Sequence, residues 1–151
     1  MIAASINDIQ PIACFDYSPK GRLLLGAAYM FQKQGYAKTT VRELANFIGI
    51  QSGSLFHHFT SKDDILANVM KQTIIYNHDR LLDAIQQSDD PEQQLKNLIK
   101  AELISITGDT GSAMAVLVSE WQALSQERQD ELLKMRNAYE DIWLDVIHQL
   151  R

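Results

Sequence analysis

Apolar residues recur along this chain at intervals of three and four, and no stretch alternates with a period of two, so the pattern predicts helices throughout and no strand. Leu23, Leu24, Ala27, Ala28 and Phe31 form the first stripe, opened by Pro19, which suits a first helical turn, and closed by Gly35. Val41, Leu44, Ala45 and Ile48 form the second. Thr40 with Glu43 is a capping box at its start, and Gly49 is a left-handed stop at its end. After the small polar run Gln51-Ser52-Gly53-Ser54, Leu55 and Phe59 supply the buried edge of a third, short helix. Ser61 with Asp64 opens a long helix through Ile65, Leu66, Val69, Met70, Ile74 and Ile75 to about Gln87. Asp90-Pro91-Glu92 opens another, carrying Leu95, Leu98, Ile99 and Leu103 to about Thr107. Gly108 to Ser112 reads as a break and Met114 to Leu124 as a short apolar helix. Ser125 caps a last helix through Leu132, Leu133, Met135, Tyr139, Ile142, Trp143 and Ile147 toward Arg151. Residues 1–16 carry no periodic signal and read as an arm to which no function is assigned.

The expected fold is therefore all-α. A three-helix head over residues 17–64 holds two short helices joined by a tight turn, a helix-turn-helix, whose second helix enters the DNA major groove in known examples. A helical bundle follows over residues 65–151.

Charge sharpens this division. The net charge is −5, yet residues 17–71 hold seven bases (Lys20, Arg22, Lys33, Lys38, Arg42, Lys62, Lys71) against three acids, while residues 72–151 hold seven bases against fourteen acids. A basic head on an acidic body suits a nucleic-acid-binding module fused to a regulatory part. Composition, at 46% hydrophobic and 22% charged, is that of an ordinary globular chain. A lone cysteine, Cys14, cannot form an internal disulfide and rules out a cysteine-built zinc site. No window has the length of a membrane span, and the first residues lack the basic start of a secretion signal, so a soluble, cytoplasmic protein is expected.

The order Thr40, Leu44-Ala45, Gly49-Ile50, Gly53-Ser54-Leu55-Phe56-His57-His58-Phe59 and Ser61-Lys62 resembles the TetR-type bacterial transcriptional repressors. The likeness continues upstream through Arg22, Ala27-Ala28, Phe31 and Gly35-Tyr36 and covers about a third of the chain, to roughly Met70. It implies a repressor, not an enzyme, that binds double-stranded DNA at a palindromic operator as a homodimer and is released by a small-molecule ligand, with no cofactor. It also implies that DNA meets three helix starts: Thr40 and Arg42; Gln51, Ser52, Gly53 and Ser54, with Phe56, His57 and His58 behind them; and Lys62. Helix starts and Lys62 suit phosphate oxygens, whereas Gln51, Arg42 and His57 can read base edges. Phe56 stands where the family usually carries a tyrosine that bonds a phosphate, and it has no hydroxyl to do so. Proteins of the family usually continue with two further helices that make much of the dimer interface, and this chain stops short of them. The wide apolar face of its last helix, Leu132, Met135, Tyr139, Ile142, Trp143, Val146 and Ile147, is expected to be buried in the homodimer, either directly or alongside residues absent from the given sequence.

Other chemistry is weaker. His57 and His58 are adjacent, about 100° apart on a helix, and cannot readily grip one ion. No nucleophile with a base, no paired carboxylates in context and no phosphate loop emerges; Gly108-Asp109-Thr110-Gly111 has no strand before it and no lysine after it. In the body, Tyr76, Met114, Trp121, Tyr139 and Trp143 are the candidate ligand-pocket residues by the resemblance, and each reads equally well as core. Glu102 and Glu120 are acids within apolar stretches that either meet a polar ligand group or face water. Rival readings stay open: an activator or a regulator that needs no ligand, and a helical module whose head grips a protein partner.

Overall fold

The computed structural model describes residues 2–150; Met1, in the arm, and Arg151, the expected end of the last helix, lie outside it. Seven α-helices and no strand run through the described residues: α1 Pro19–Gln34, α2 Val41–Ile48, α3 Ser52–Leu55, α4 Lys62–Gln86, α5 Pro91–Thr107, α6 Gly111–Ser119 and α7 Gln126–Gln149. Short 3-10 turns stand at Ile6–Asp8 and Trp121–Ala123.

Five of the helices start on a side chain that accepts a backbone N–H of the first turn: Ser18, Thr40, Ser61, Asp90 and Ser125. At Thr40 the box is reciprocal, since Glu43 also accepts from the Thr40 N–H. Gly49 ends α2 at φ 87°, ψ 30°, a left-handed conformation that a side chain resists, and this sets the tight turn into α3.

Helices α1, α2 and α3 close the head around Phe31, Leu44 and Leu55, all at 1% exposure or less, and the same core continues into α4 and α6 through Ile65, Leu66, Met70 and Val116. A second cluster, Leu81, Ala84, Leu98, Ile142 and Val146, closes the far end of the body, where α4, α5 and α7 meet. Among the described residues no helix is long and apolar enough to cross a membrane.

Three departures from the pattern have physical causes. The arm is not loose: Ile6, Ile12, Cys14 and Phe15 are buried in the head core, and the Ala3 N–H donates to the Tyr29 hydroxyl at 2.8 Å. It packs tightly because Gly21 of α1 lets the Asp16 carbonyl come so near that a β-carbon there would sit 2.2 Å from its oxygen. Burial pushes the Cys14 thiol up to about 11, so it stays an unreactive thiol. Next, the break at residues 108–112 is shorter than expected. The Thr110 hydroxyl donates to the Ser105 carbonyl at 2.7 Å, turning the chain so that α6 begins at Gly111. Finally, the expected helix Met114 to Leu124 stops at Ser119 and becomes a 3-10 turn, which brings Glu120 against the head.

The last helix also differs in what covers it. Leu132, Ile142 and Val146 are buried by the chain's own helices, whereas Leu144 and Ile147 remain exposed. A second stripe, Ile99, Leu103 and Ile106, is exposed on α5.

Candidate functional site

The start of α3 is a largely exposed polar patch. Gln51 is its N-cap residue, in extended backbone at φ −79°, ψ 148°, and its side chain makes no capping bond, so both amide functions stay free. Gln51, Gly53, Phe56, His57 and His58 are exposed and Ser52 and Ser54 half-buried, while Leu55 and Phe59 anchor the segment in the core. Phe56 is 52% exposed, a large apolar surface in a polar patch.

Gly53 carries the plainest argument. It has no positive φ, and a β-carbon built on it meets nothing within 4 Å. Glycine inside a helix costs roughly 0.5–1 kcal/mol relative to alanine. Neither φ nor crowding within the chain therefore requires glycine here, and its backbone is open to the outside.

At the start of α2, the Thr40 hydroxyl accepts from the Glu43 N–H at 3.0 Å and still has its own proton to donate, and Arg42 is exposed. Lys62 opens α4 but is held inward: its ammonium donates to the Tyr36 carbonyl at 2.6 Å and lies 4.1 Å over the Tyr36 ring. Burial lowers its pKa, and Glu120 and Glu43 oppose that by favouring the charged form. Two protons of the ammonium remain for another acceptor.

In the body a cavity of about 420 Å³ opens between α4, α5, α6 and α7. Met114, Trp121 and Tyr139 line it, as do Ile74, Leu117 and Val118 on its apolar side and Asn77, Glu102, Gln122, Arg136 and Glu140 on its polar side. Trp143 stands behind the wall, where its indole N–H donates to Glu102 at 3.2 Å. The Tyr139 hydroxyl donates to the same carboxylate oxygen, and burial together with that carboxylate pushes the phenol pKa well up, so it remains a donor. Tyr76 is not in this wall. It lines a separate cavity of about 110 Å³, with Arg80 stacked 5.0 Å over its ring.

Pattern reasoning missed Arg136, Asn77 and Gln122. Arg136 lies three residues before Tyr139, a spacing that puts both on one face of α7, and its guanidinium covers the Trp121 ring at 5.3 Å. That spacing was the available signal. Asn77 is buried, gives its amide N–H to the Met114 sulfur at 2.8 Å, and leaves its carbonyl oxygen without a partner among the described residues.

A helix-turn-helix head carried on a cavity-bearing helical body defines a class of DNA-binding regulators. The sequence profile of bacterial regulatory proteins of the tetR family matches residues 23–69, and that of the tetracyclin repressor-like C-terminal domain matches residues 88–151. The chain is 31% identical over 133 residues to the HTH-type transcriptional repressor KstR2 of Mycobacterium tuberculosis, covering 87% of this chain and 66% of that one. The structure of ketosteroid transcriptional regulator KstR2 from the same organism superposes with a TM-score of 0.81, over 92% of this chain and 71% of that chain. A structure described as superantigen PfiT superposes with a TM-score of 0.82 at 47% identity, over 88% and 71% of the two chains. The chain belongs to the TetR family of bacterial regulatory proteins. It spans about two thirds of the length of the curated relatives it matches.

Proposed function

We propose that this chain acts in the cytoplasm as a sequence-specific transcriptional repressor. Its head, residues 17–64, takes one half of a palindromic operator as part of a homodimer, and its body, residues 65–151, binds a small molecule that releases the DNA. The observation that carries the reading is the uncapped start of α3, with Gln51 and Gly53 exposed and a glycine that the fold itself does not need. The 31% likeness to a named repressor supports the direction of regulation. In this reading Gln51, Arg42 and His57 meet base edges, and Thr40, Ser52, Ser54, His58 and Lys62 meet the backbone. Phe56 supplies apolar contact of the kind that suits a thymine methyl. The cavity suits a largely apolar molecule with polar groups set toward Glu102 and Arg136.

Selection of bound sequences from random DNA tests this directly. Gln51→Ala is expected to relax the preference at one base pair by about 1–3 kcal/mol, whereas Lys62→Ala weakens all sequences alike and flattens the salt slope by about one unit. An unchanged selected motif in the Gln51 variant would remove its base-reading role. Gly53→Ala should separate fold from function: thermal stability rises by about 0.5–1 kcal/mol while operator affinity falls. A variant that is more stable and binds DNA as before would show that nothing approaches that backbone.

A second reading, a helical module whose head grips a protein, is favoured by the likeness to a structure described as a superantigen rather than as a regulator. Phosphate contacts make DNA affinity fall steeply with salt, so a chain that selects no sequence and shows no such slope would support this alternative.

A further inference from the structure

The 3-10 turn after α6 joins the cavity to the head. Glu120, half-buried, accepts the backbone N–H of Tyr36 at 3.1 Å across 84 positions of sequence. The Tyr36 carbonyl accepts the Lys62 ammonium at 2.6 Å. The next residues after Glu120, Trp121 and Gln122, line the cavity. A body carboxylate, the two peptide groups flanking Tyr36 and the lysine that opens α4 thus stand in series, one residue from the cavity wall.

The same segment is fastened a second time. The Ser125 N–H donates to Asp63 at 3.3 Å, and Arg128 pairs with Asp64 at 2.8 Å and with Asp63 at 3.8 Å. Gln129 donates to the Trp121 carbonyl at 3.0 Å. Residues 120–128 are therefore tied to the α1–α2 turn at one end and to the start of α4 at the other, with Trp121 between the ties. Anything that displaces the Trp121 ring moves a strap with both ends on the head. Glu120 is the weaker end to dislodge, since one hydrogen bond holds it, against three contacts from Ser125 and Arg128.

We infer that Glu120 is a positioning residue for DNA binding: through the Tyr36 backbone, whose N–H it accepts and whose carbonyl holds Lys62, it sets where Lys62 is held, and a molecule seated against Trp121 acts on the head by drawing the carboxylate off the Tyr36 amide. This rests on the cavity being the effector site. The strap gives that site a route to the recognition surface that does not depend on α4 bending, because the α1–α2 turn and the start of α4 are gripped directly.

Amide exchange and chemical shifts of the isotope-labelled full chain test it, with anilinonaphthalene sulfonate as the cavity probe and the Met114 methyl signal reporting its seat. The probe is expected to move the Met114 signal and to speed Tyr36 amide exchange about tenfold, as loss of a bond to a charged acceptor requires. Glu120→Ala should exchange fast at Tyr36 without the probe and show no further response, and by reciprocity it should bind the probe more tightly, by up to about the same tenfold. Glu120→Gln, which keeps an acceptor oxygen, should retain the response; a residue needed only for folding would not give this pattern. A probe that moves Met114 and leaves Tyr36 exchange unchanged overturns the inference. A probe that leaves Met114 unmoved counts against the effector reading instead, and Leu117→Trp, filling the cavity from its wall, then decides the coupling. Faster Tyr36 exchange in that variant supports it, and unchanged exchange overturns it.

Discussion

Phe31→Ala is expected to cost about 3–5 kcal/mol of stability, the range for deleting a buried aromatic side chain. Phe31 is 1% exposed at the centre of the head and meets the Tyr36 ring edge-on, with centroids 5.1 Å apart and planes at 70°. Against a total of roughly 5–15 kcal/mol for a domain, such a loss leaves the head marginal, so DNA binding should fail with it. Urea unfolding gives the number: the midpoint should fall with the slope unchanged. Tyr17, which is 90% exposed, is the control, and its alanine variant should stay within about 0.5 kcal/mol of wild type. A loss below about 1 kcal/mol at Phe31 would mean that the head is not organised around α1.

What the sequence made legible was whatever depends on near neighbours. Each of the five capped helix starts is a side chain acting on an N–H three residues on, and the turn between α2 and α3 is set by one glycine; local chemistry pointed to that glycine and to the caps at Thr40, Ser61, Asp90 and Ser125, and at α1 to Pro19 but not to Ser18 before it. The arm escaped because its buried residues, Ile6, Ile12, Cys14 and Phe15, follow no helical period; their burial is decided by distant parts of the chain, such as Thr73 of α4, 4.0 Å from the Cys14 sulfur. The break at Ser119 escaped because its partner, the Tyr36 amide, is far away in sequence. In the cavity, aromatic and methionine positions pointed to Met114, Trp121 and Tyr139, which do line it, but could not separate Tyr76 from Asn77. One step along a helix turns a side chain by about 100°, so which neighbour faces the cavity is settled by packing. Lys62 shows the same limit: a lysine at a helix start reads as a phosphate ligand, and its hold on the Tyr36 carbonyl is visible only in three dimensions.

Replacing Leu103 and Ile106 together by glutamate is expected to lower affinity for a palindromic operator by about a hundred- to ten-thousandfold while leaving an isolated half-site bound as before, because the loss falls on the linkage between two heads. A helix-turn-helix pair reads half-sites about 34–36 Å apart or a multiple of that, which needs two copies held in fixed relation. The chain buries Leu132, Ile142 and Val146 of α7 within itself, so those side chains are not free to join copies. Among the apolar side chains that stay open are the α5 stripe, Ile99 at 46% and Leu103 and Ile106 at 57% exposure, and Leu144 and Ile147 of α7. Residues spaced four and then three apart lie on one face of α5, and an apolar face of that kind is costly in water unless covered. We therefore propose a second copy of the chain as its cover. Glutamates at exposed positions leave the fold intact, so the double variant should sediment as a monomer with its helix content unchanged. A variant that still sediments as a dimer would place the interface elsewhere. A wild-type chain that runs as a clean monomer at micromolar concentration would reject dimerisation through these residues, and the palindrome would then bind no better than its half-site.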